Sequence, residues 1–393
     1  MHPVLKTLWE ATPKPLQDIV ATAVDRVQHV EIPGAPHVDR ALPVRLFIAP
    51  ANYAGQGYRW ARAAEANPRV AAANMVYAEI NSFAYPVDFP VRGRTVTHSH
   101  RWQKAQLRAL TEEFTHVLVE AQMPPLGGMY SQNVRRQIRM LQAGGTSVAM
   151  VCHGSDIRLP TRHRALEARS PFVNDDWVPV AKLEKVVADN KRLLDDLGLP
   201  TFVSTPGLLL DVPYAHFLPV VIDSGLWKTS MPILERARPR VLHVPSNPLV
   251  KGTAEIEPAV SGMHAREEIE YVQATGLPHA EMPALYSSVD IVLDQFRLGD
   301  YGAGACEAMA AGRLVISHVS QQVRDVISSQ TGVQLPILEA NIDTLGQILR
   351  DVMENREGFR ALAAKGPDVV RRVHNGDMAR ANLERYFLDT SGN

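Results

Sequence analysis

The sequence predicts an α/β protein built as two domains around parallel sheets, and three observations carry that reading. The chain has 393 residues, more than one ordinary hydrophobic core accommodates. Twice it places a short apolar run before a glycine loop and a helix-forming stretch, at residues 44–66 and 290–311. The second of these runs into another apolar strand at 314–319, completing strand, loop, helix, strand, the unit of a parallel sheet. The sheet pattern also restarts at residues 240–244, after a proline-punctuated stretch.

Composition narrows the function classes. Apolar residues make up 46% and charged residues 21%, so the chain has the material for packed cores throughout. A net charge of −1 implies no general attraction to nucleic acid or to an anionic membrane. Two cysteines, Cys152 and Cys306, do not make a disulfide framework, and a reduced, cytoplasmic setting is expected. No stretch approaches the ~20 apolar residues of a membrane span. The N-terminus lacks the basic-then-apolar order of a signal peptide.

Residues 4–9 and 16–27 read as helical with prolines between them, and residues 1–41 as an extension of the first domain. Val44–Ala49 is the first clear strand and leads through Asn52, Gly55 and Gly57 into a helix at 58–66. The two glycines permit close backbone approach at a strand's C-terminal end, where α/β proteins bind ligands, although a tight turn has the same requirement. They do not complete a G-x-G-x-x-G fingerprint. Residues 70–79 form a strand. His98 and His100 follow in alternation, with no further ligand at metal spacing. A helix at 102–114, a strand at 115–120 and a Pro/Gly loop come next, and Ser131 is the expected cap of a helix at 132–141.

Ser147–Cys152 is a strand that ends in His153-Gly154-Ser155-Asp156-Ile157-Arg158, a polar cluster where ligand sites lie. His153 can donate to a sugar hydroxyl or a phosphate, while Asp156 and Arg158 can pair with each other. Asp175-Asp176 lacks D-x-D spacing and reads as a solvated turn. A charged helix at 181–197 is closed by Gly198, and a strand at 201–204 follows. The domains expected are therefore 1–220 and 240–372, joined by a hinge at 221–239, with a closing amphipathic helix in 373–393.

In the second domain the strand at 240–244 is followed by Ser246, Asn247 and Lys251, with Pro258 expected to delay or kink the next helix. The strand at 290–294 leads through Gln295, Gly299, Tyr301, Gly302, Ala303 and Gly304 into a helix at 305–311. Gly302 and Gly304 keep side chains out of a ligand's way, and the unpaired N–H groups of the helix start make an anion site. Glu307, expected in the first helical turn, cannot bind phosphate but can accept two hydrogen bonds from a ribose diol. It can equally complement the helix dipole. Lys251 would stabilise the charge that develops on a departing nucleoside diphosphate.

The three runs HGSDIR, PSN-x3-KGT and DQ-x3-G-x-YG-x4-EAMA-x-G, in this order at strand ends, resemble the GT-B glycosyltransferases of the broad retaining type. The resemblance runs from about Val44 to the C-terminus. It implies two Rossmann-like domains with parallel sheets facing a central cleft, and a terminal helix crossing back to the first domain. It implies sugar transfer from a nucleoside-diphosphate sugar to an acceptor hydroxyl or amine, with retention, without metal and without a cofactor beyond the donor itself. Lys251 and His153 would be catalytic. Ser246, Asn247, Gln295, Gly299, Tyr301, Gly302, Ala303, Gly304 and Glu307 would hold the donor, and Asn52, Gly55, Gly57, Asp156 and Arg158 would line the cleft. Many members carry a first glutamate where this chain has Gly299, in contact with the donor sugar. That departure keeps open a non-catalytic nucleotide-binding scaffold, and an epimerase on the same fold is a further alternative. The acceptor stays open among a glycan, a lipid-linked sugar, a natural product and a peptide.

Overall fold

The computed structural model describes residues 32–388 continuously and, before them, residues 12, 13, 16, 17, 19, 20, 23 and 27. The expected helix at 4–9 lies outside the described residues. Within 16–27 the described positions are helical. Two parallel sheets organise the chain. The first has the order β3-β2-β1-β4-β5-β6-β7, from β1 (Val44–Ala49), β2 (Val70–Tyr77), β3 (Phe89–Val91), β4 (His116–Glu120), β5 (Ser147–Cys152), β6 (Thr201–Val203) and β7 (His216–Phe217). The second has the order β12-β11-β10-β8-β9, from β8 (Arg240–His243), β9 (Glu270–Gln273), β10 (Ile291–Leu293), β11 (Leu314–Ser317) and β12 (Ile337–Glu339).

The helices that shape the sites are α1 (Gln56–Ala64), α2 (Gly93–His98), α3 (His100–Glu112), α4 (Val134–Ala143), α5 (Pro160–Leu166), α6 (Val180–Leu197), α7 (Thr253–Ala265), α8 (Ala303–Ala310), α9 (Gln321–Thr331) and α10 (Asp377–Tyr386). By contact density the chain forms two compact units. One holds the described residues up to Met150 other than Phe83–Tyr85, together with Leu388. The other holds Phe83–Tyr85 and Val151–Phe387.

The strands were legible because most are covered on both faces, which leaves runs of apolar residues rather than alternation. β2 is buried at every one of its eight positions. In the second sheet successive residues feed opposite faces. Leu242, Val292 and Val315 enter one core, while Val241, Ile291, Leu293, Leu314 and Ile316 enter the other.

Three local expectations change. The cap of α4 is Asn133, whose side chain accepts from the Arg136 N–H. Ser131 instead sits in a run of left-handed residues, Tyr130, Ser131 and Gln132. α7 begins at Thr253 and continues through Pro258, with Ile256, Val260 and Met263 buried. Packing of that face offsets the lost hydrogen bond. α8 begins at Ala303, so Glu307 lies beyond its first turn. At the C-terminus, α10 packs on β7. Asn382 Nδ2 donates to the Phe217 carbonyl at 2.7 Å, and Tyr386 stacks on His216 with centroids 3.5 Å apart.

Candidate functional site

Open α/β sheets bind ligands at the carboxyl ends of strands where the strand order reverses. The first sheet reverses between β1 and β4, the second between β8 and β10. In the first crevice Glu120, at the end of β4, is a buried carboxylate that accepts from the N–H of Ala51 at 2.8 Å and of Asn52 at 2.9 Å. Asn52 is left-handed at φ 49°. Its Oδ1 accepts from the Tyr58 N–H at 2.9 Å, and its Nδ2 donates to the Pro86 carbonyl at 3.0 Å. Gly55 is left-handed at φ 70° and caps α1. A Cβ on Gly57 would lie 3.3 Å from both Asn52 Oδ1 and the Glu120 carboxylate. Asn52, Gly55 and Gly57 thus build a tightly pinned loop at the crevice.

In the second crevice a single helical turn, Pro248–Lys251, follows β8. Asn247 caps it by accepting from the Leu249 N–H, and Gly252 ends it at φ 80°. Ser246 is exposed just before it. This turn delivers Lys251, whose Nζ meets Asp294 Oδ1 at 2.5 Å. Asp294 closes β10 with its side chain 6% exposed. Its Oδ2 is buried with no partner among the described residues. A lysine ammonium carries three N–H donors, so Asp294 holds Lys251 in place and leaves two for a ligand.

α8 opens beside this pair. A Cβ on Gly304 would lie 3.5 Å from Asp294 Oδ1, whereas one on Gly302 would meet nothing within 4 Å. The N–H groups at Gly302, Ala303 and Gly304 thus start a helix in an open part of the loop. Glu307 is buried, and its Oε1 meets His279 Nε2 at 2.9 Å. The His279 ring packs against Tyr85 and Trp227, with centroids at 4.7 and 5.6 Å. Gln295 Nε2 donates to the Asp300 carbonyl, which folds the loop between them. Tyr301 is buried, with its hydroxyl 3.3 Å from His374 Nε2.

The structure separates Asp156 from Arg158, which do not pair with each other. Asp156 accepts from the N–H of His153 at 3.0 Å and from that of Gly154, so it fixes the turn that carries His153. Arg158 donates instead to Asp300 Oδ2 at 2.9 Å, a pair with side chains 9% and 4% exposed. Asp300 also accepts from Thr205 Oγ1 at 2.8 Å and from the Tyr301 N–H at 2.9 Å. A side chain at Gly207 would collide with that carboxylate.

At Gly299, left-handed at φ 61°, a side chain would collide with the Glu167 carboxylate. A glutamate from the end of α5 therefore stands beside the position where this chain lacks one of its own. His318 holds it, facing Glu167 Oε2 with Nε2 at 2.8 Å and Glu339 Oε1 with Nδ1 at 2.7 Å. Carboxylates only accept, so both ring nitrogens carry protons. Glu167, and then Glu339, raise the His318 pKa from 6.5 to about 9 against the effect of burial. A raised histidine stabilises the fold fully below its unfolded pKa and loses that contribution as pH climbs through the folded one. Between pH 6.5 and 9, His318→Gln should therefore lose less stability than the parent chain. The expected difference is about 2 kcal/mol after allowance for partial exposure. Urea midpoints at the two pH values read it, and parallel slopes would refute the charged pairing.

Asp294, Asp300, His279 and Glu167 were not singled out from sequence. Asp294 had a signal, since it begins the DQ run at a strand end. Glu167 and His279 had none, because tertiary packing alone brings them to Gly299 and Glu307.

No protein-family model matches the chain, and no curated protein does. Solved structures do match. A sucrose-phosphate synthase from Thermosynechococcus elongatus is 13% identical, over 87% of this chain and 97% of its own, with a TM-score of 0.58. A glycosyltransferase from Rickettsia africae is 11% identical, over 88% and 98%, at 0.56. HepE from Anabaena, solved with UDP and glucose, is 12% identical, over 87% and 98%, at 0.54. The chain thus has the α/β fold of the GT-B glycosyltransferases, with two parallel sheets of Rossmann-like type.

Proposed function

We propose that the chain is a glycosyltransferase that moves a sugar from a nucleoside-diphosphate sugar to an acceptor hydroxyl or amine, with retention and without a metal. The observation that carries this reading is the convergence of Lys251, the glycine-led start of α8 and Glu307 at the β8/β10 crevice. The reading assigns residues 240–372 to the donor, residues 1–220 to the acceptor, and 221–239 to the hinge.

The donor's diphosphate lies against the N–H groups that open α8, where the dipole favours negative charge. The two free donors of Lys251 stabilise the charge that grows on the leaving diphosphate as the glycosidic bond breaks. Asp294 keeps the ammonium aimed. Glu307 accepts from the ribose hydroxyls, with His279 fixing the carboxylate that does so. His153 touches the sugar or the acceptor on a turn that Asp156 holds. The departing phosphate oxygen takes the acceptor's proton.

HepE has been solved with UDP and with UDP-glucose, which makes UDP-glucose the first donor to test. Calorimetry with UDP, GDP, ADP, dTDP and CMP should show tight binding of one diphosphate. Glu307→Gln should weaken it about tenfold, the loss of an ionic hydrogen bond. If the folded variant binds as tightly as the parent, Glu307 leaves the site. If no nucleotide binds, the transferase reading falls and the scaffold takes its place.

A further inference from the structure

The loop of residues 295–304, which leads from β10 into α8, is fastened along its first half by the segment that follows β11. The Gln295 carbonyl accepts from the His318 N–H at 2.8 Å and from Ser317 Oγ at 2.9 Å. The Gly299 carbonyl accepts from the Ser320 N–H at 3.0 Å. The His318 side chain adds a further fastening. Its Nε2 lies 2.8 Å from Glu167 Oε2. The other oxygen of that carboxylate, Oε1, is the atom a Cβ on Gly299 would strike first. Glu167 thus backs the left-handed turn of the loop, and His318 holds Glu167 there. All of these residues lie in the unit that contains Val151–Phe387.

This fastening needs a charged ring. Nδ1 of His318 lies 2.7 Å from Glu339 Oε1, so the imidazole spaces two carboxylates. A neutral imidazole has one N–H and one lone pair, and would turn the lone pair on one of them. The two carboxylates are not equally held. Glu339 Oε2 also accepts from the Val319 N–H at 2.9 Å and from Arg324 at 3.1 Å. Glu167 has His318 as its ion-pair partner among the described residues. Loss of the proton therefore releases Glu167 first, and with it the backing of Gly299. The other charged or titratable groups beside the ring are Arg324 on α9 and His163 on α5. Burial pushes the His163 pKa down to about 4, so that ring stays neutral while His318 titrates.

We propose that His318 is a positioning residue of the donor site: its ring, when charged, holds Glu167 against Gly299 and so keeps residues 299–304 set for the diphosphate. The proposal rests on the reading of that loop as the donor site. Molecules with the charged ring are then the ones competent to bind, and affinity follows their fraction. The charged form prevails below about pH 9 and is lost above it. Donor affinity should therefore fall as pH rises through that value.

The test is calorimetry of the full chain with UDP, GDP, ADP and dTDP, run from about pH 7 to about pH 10. In the parent, the diphosphate that binds should weaken about tenfold across this range, an ordinary size for coupling between two sites. H318Q and E167Q, which cannot form the charged clamp, should start about tenfold weaker and show no such step. By reciprocity, bound nucleotide should raise the proton affinity of the His318 ring by the same factor, read from its NMR titration. Thermal melts establish that both variants are folded. Deuterium uptake at residues 299–304 in nucleotide-free protein needs no ligand, and it should be faster in both variants than in the parent. A parent affinity indifferent to pH would overturn the proposal. So would a fall shared equally by H318Q, which would assign the titration to another group. Equal uptake in all three proteins would overturn it as well. If no diphosphate binds the folded parent, the donor reading falls, and uptake alone decides whether His318 holds the loop.

Discussion

Lys251→Met should lower turnover about a hundredfold while changing donor affinity only a few-fold. An ionic hydrogen bond to developing charge contributes roughly 1.5–3 kcal/mol, and its effect falls on the transition state because the leaving diphosphate gains charge only as the bond breaks. The structure adds a second consequence. Lys251 is the partner of Asp294 Oδ1, and Asp294 Oδ2 already has none among the described residues. Removing the ammonium leaves a buried carboxylate unpaired, a change that costs about 3–5 kcal/mol unless the carboxylate takes a proton. Stability and turnover should therefore separate in the double variant Lys251→Met/Asp294→Asn. The neutral pair should recover most of the melting temperature and none of the turnover. Single-turnover rates with the donor identified by calorimetry, alongside thermal melts, give both numbers. Turnover restored in the double variant would remove Lys251 from the chemistry and leave it a structural counter-ion.

This coupling also marks where the sequence was legible. Parallel strands buried on both faces leave apolar runs that need no partner to be recognised, so Ser147–Cys152 and Val44–Ala49 could be placed from sequence. Gly198 was readable as a helix stop because a left-handed residue was needed there, and its φ is 59°. The start of α8 was misplaced by two residues because Gly302, Ala303 and Gly304 suit loop and first turn alike. What no local pattern reveals is which charge meets which. Asp156 and Arg158 stand two apart in sequence, yet one holds backbone N–H groups and the other reaches 142 residues along the chain to Asp300. Glu167 stands beside Gly299 from 132 positions earlier, and only the collision at the glycine's missing side chain reveals it.

The same long-range pair gives an equally large stability effect. Arg158→Met should destabilise the protein by about 3–5 kcal/mol, because it strands a buried charge rather than removing a surface contact. Asp300 would keep Thr205 Oγ1 and the Tyr301 N–H as neutral donors, but no cation. Burial already raises its pKa above 3.8, and Arg158 is the foremost group opposing that rise. Without the arginine the pKa climbs further. A carboxyl whose folded pKa exceeds its unfolded value binds its proton more tightly in the native state. Its penalty is then absent below 3.8 and grows as pH rises toward the folded pKa. The variant should therefore lose more stability at pH 8 than at pH 3.8 relative to the parent. Urea titrations at both values measure the difference. Arg158→Met/Asp300→Asn, which has no charge to strand, should regain much of the loss and show no such pH dependence. Because Asp300 sits between Gly299 and Tyr301, the single variant should also bind the diphosphate more weakly where it remains folded, through disorder of the loop that opens α8. An equal loss at both pH values would mean that Asp300 is not held as a buried anion, and that the loop is positioned by packing alone.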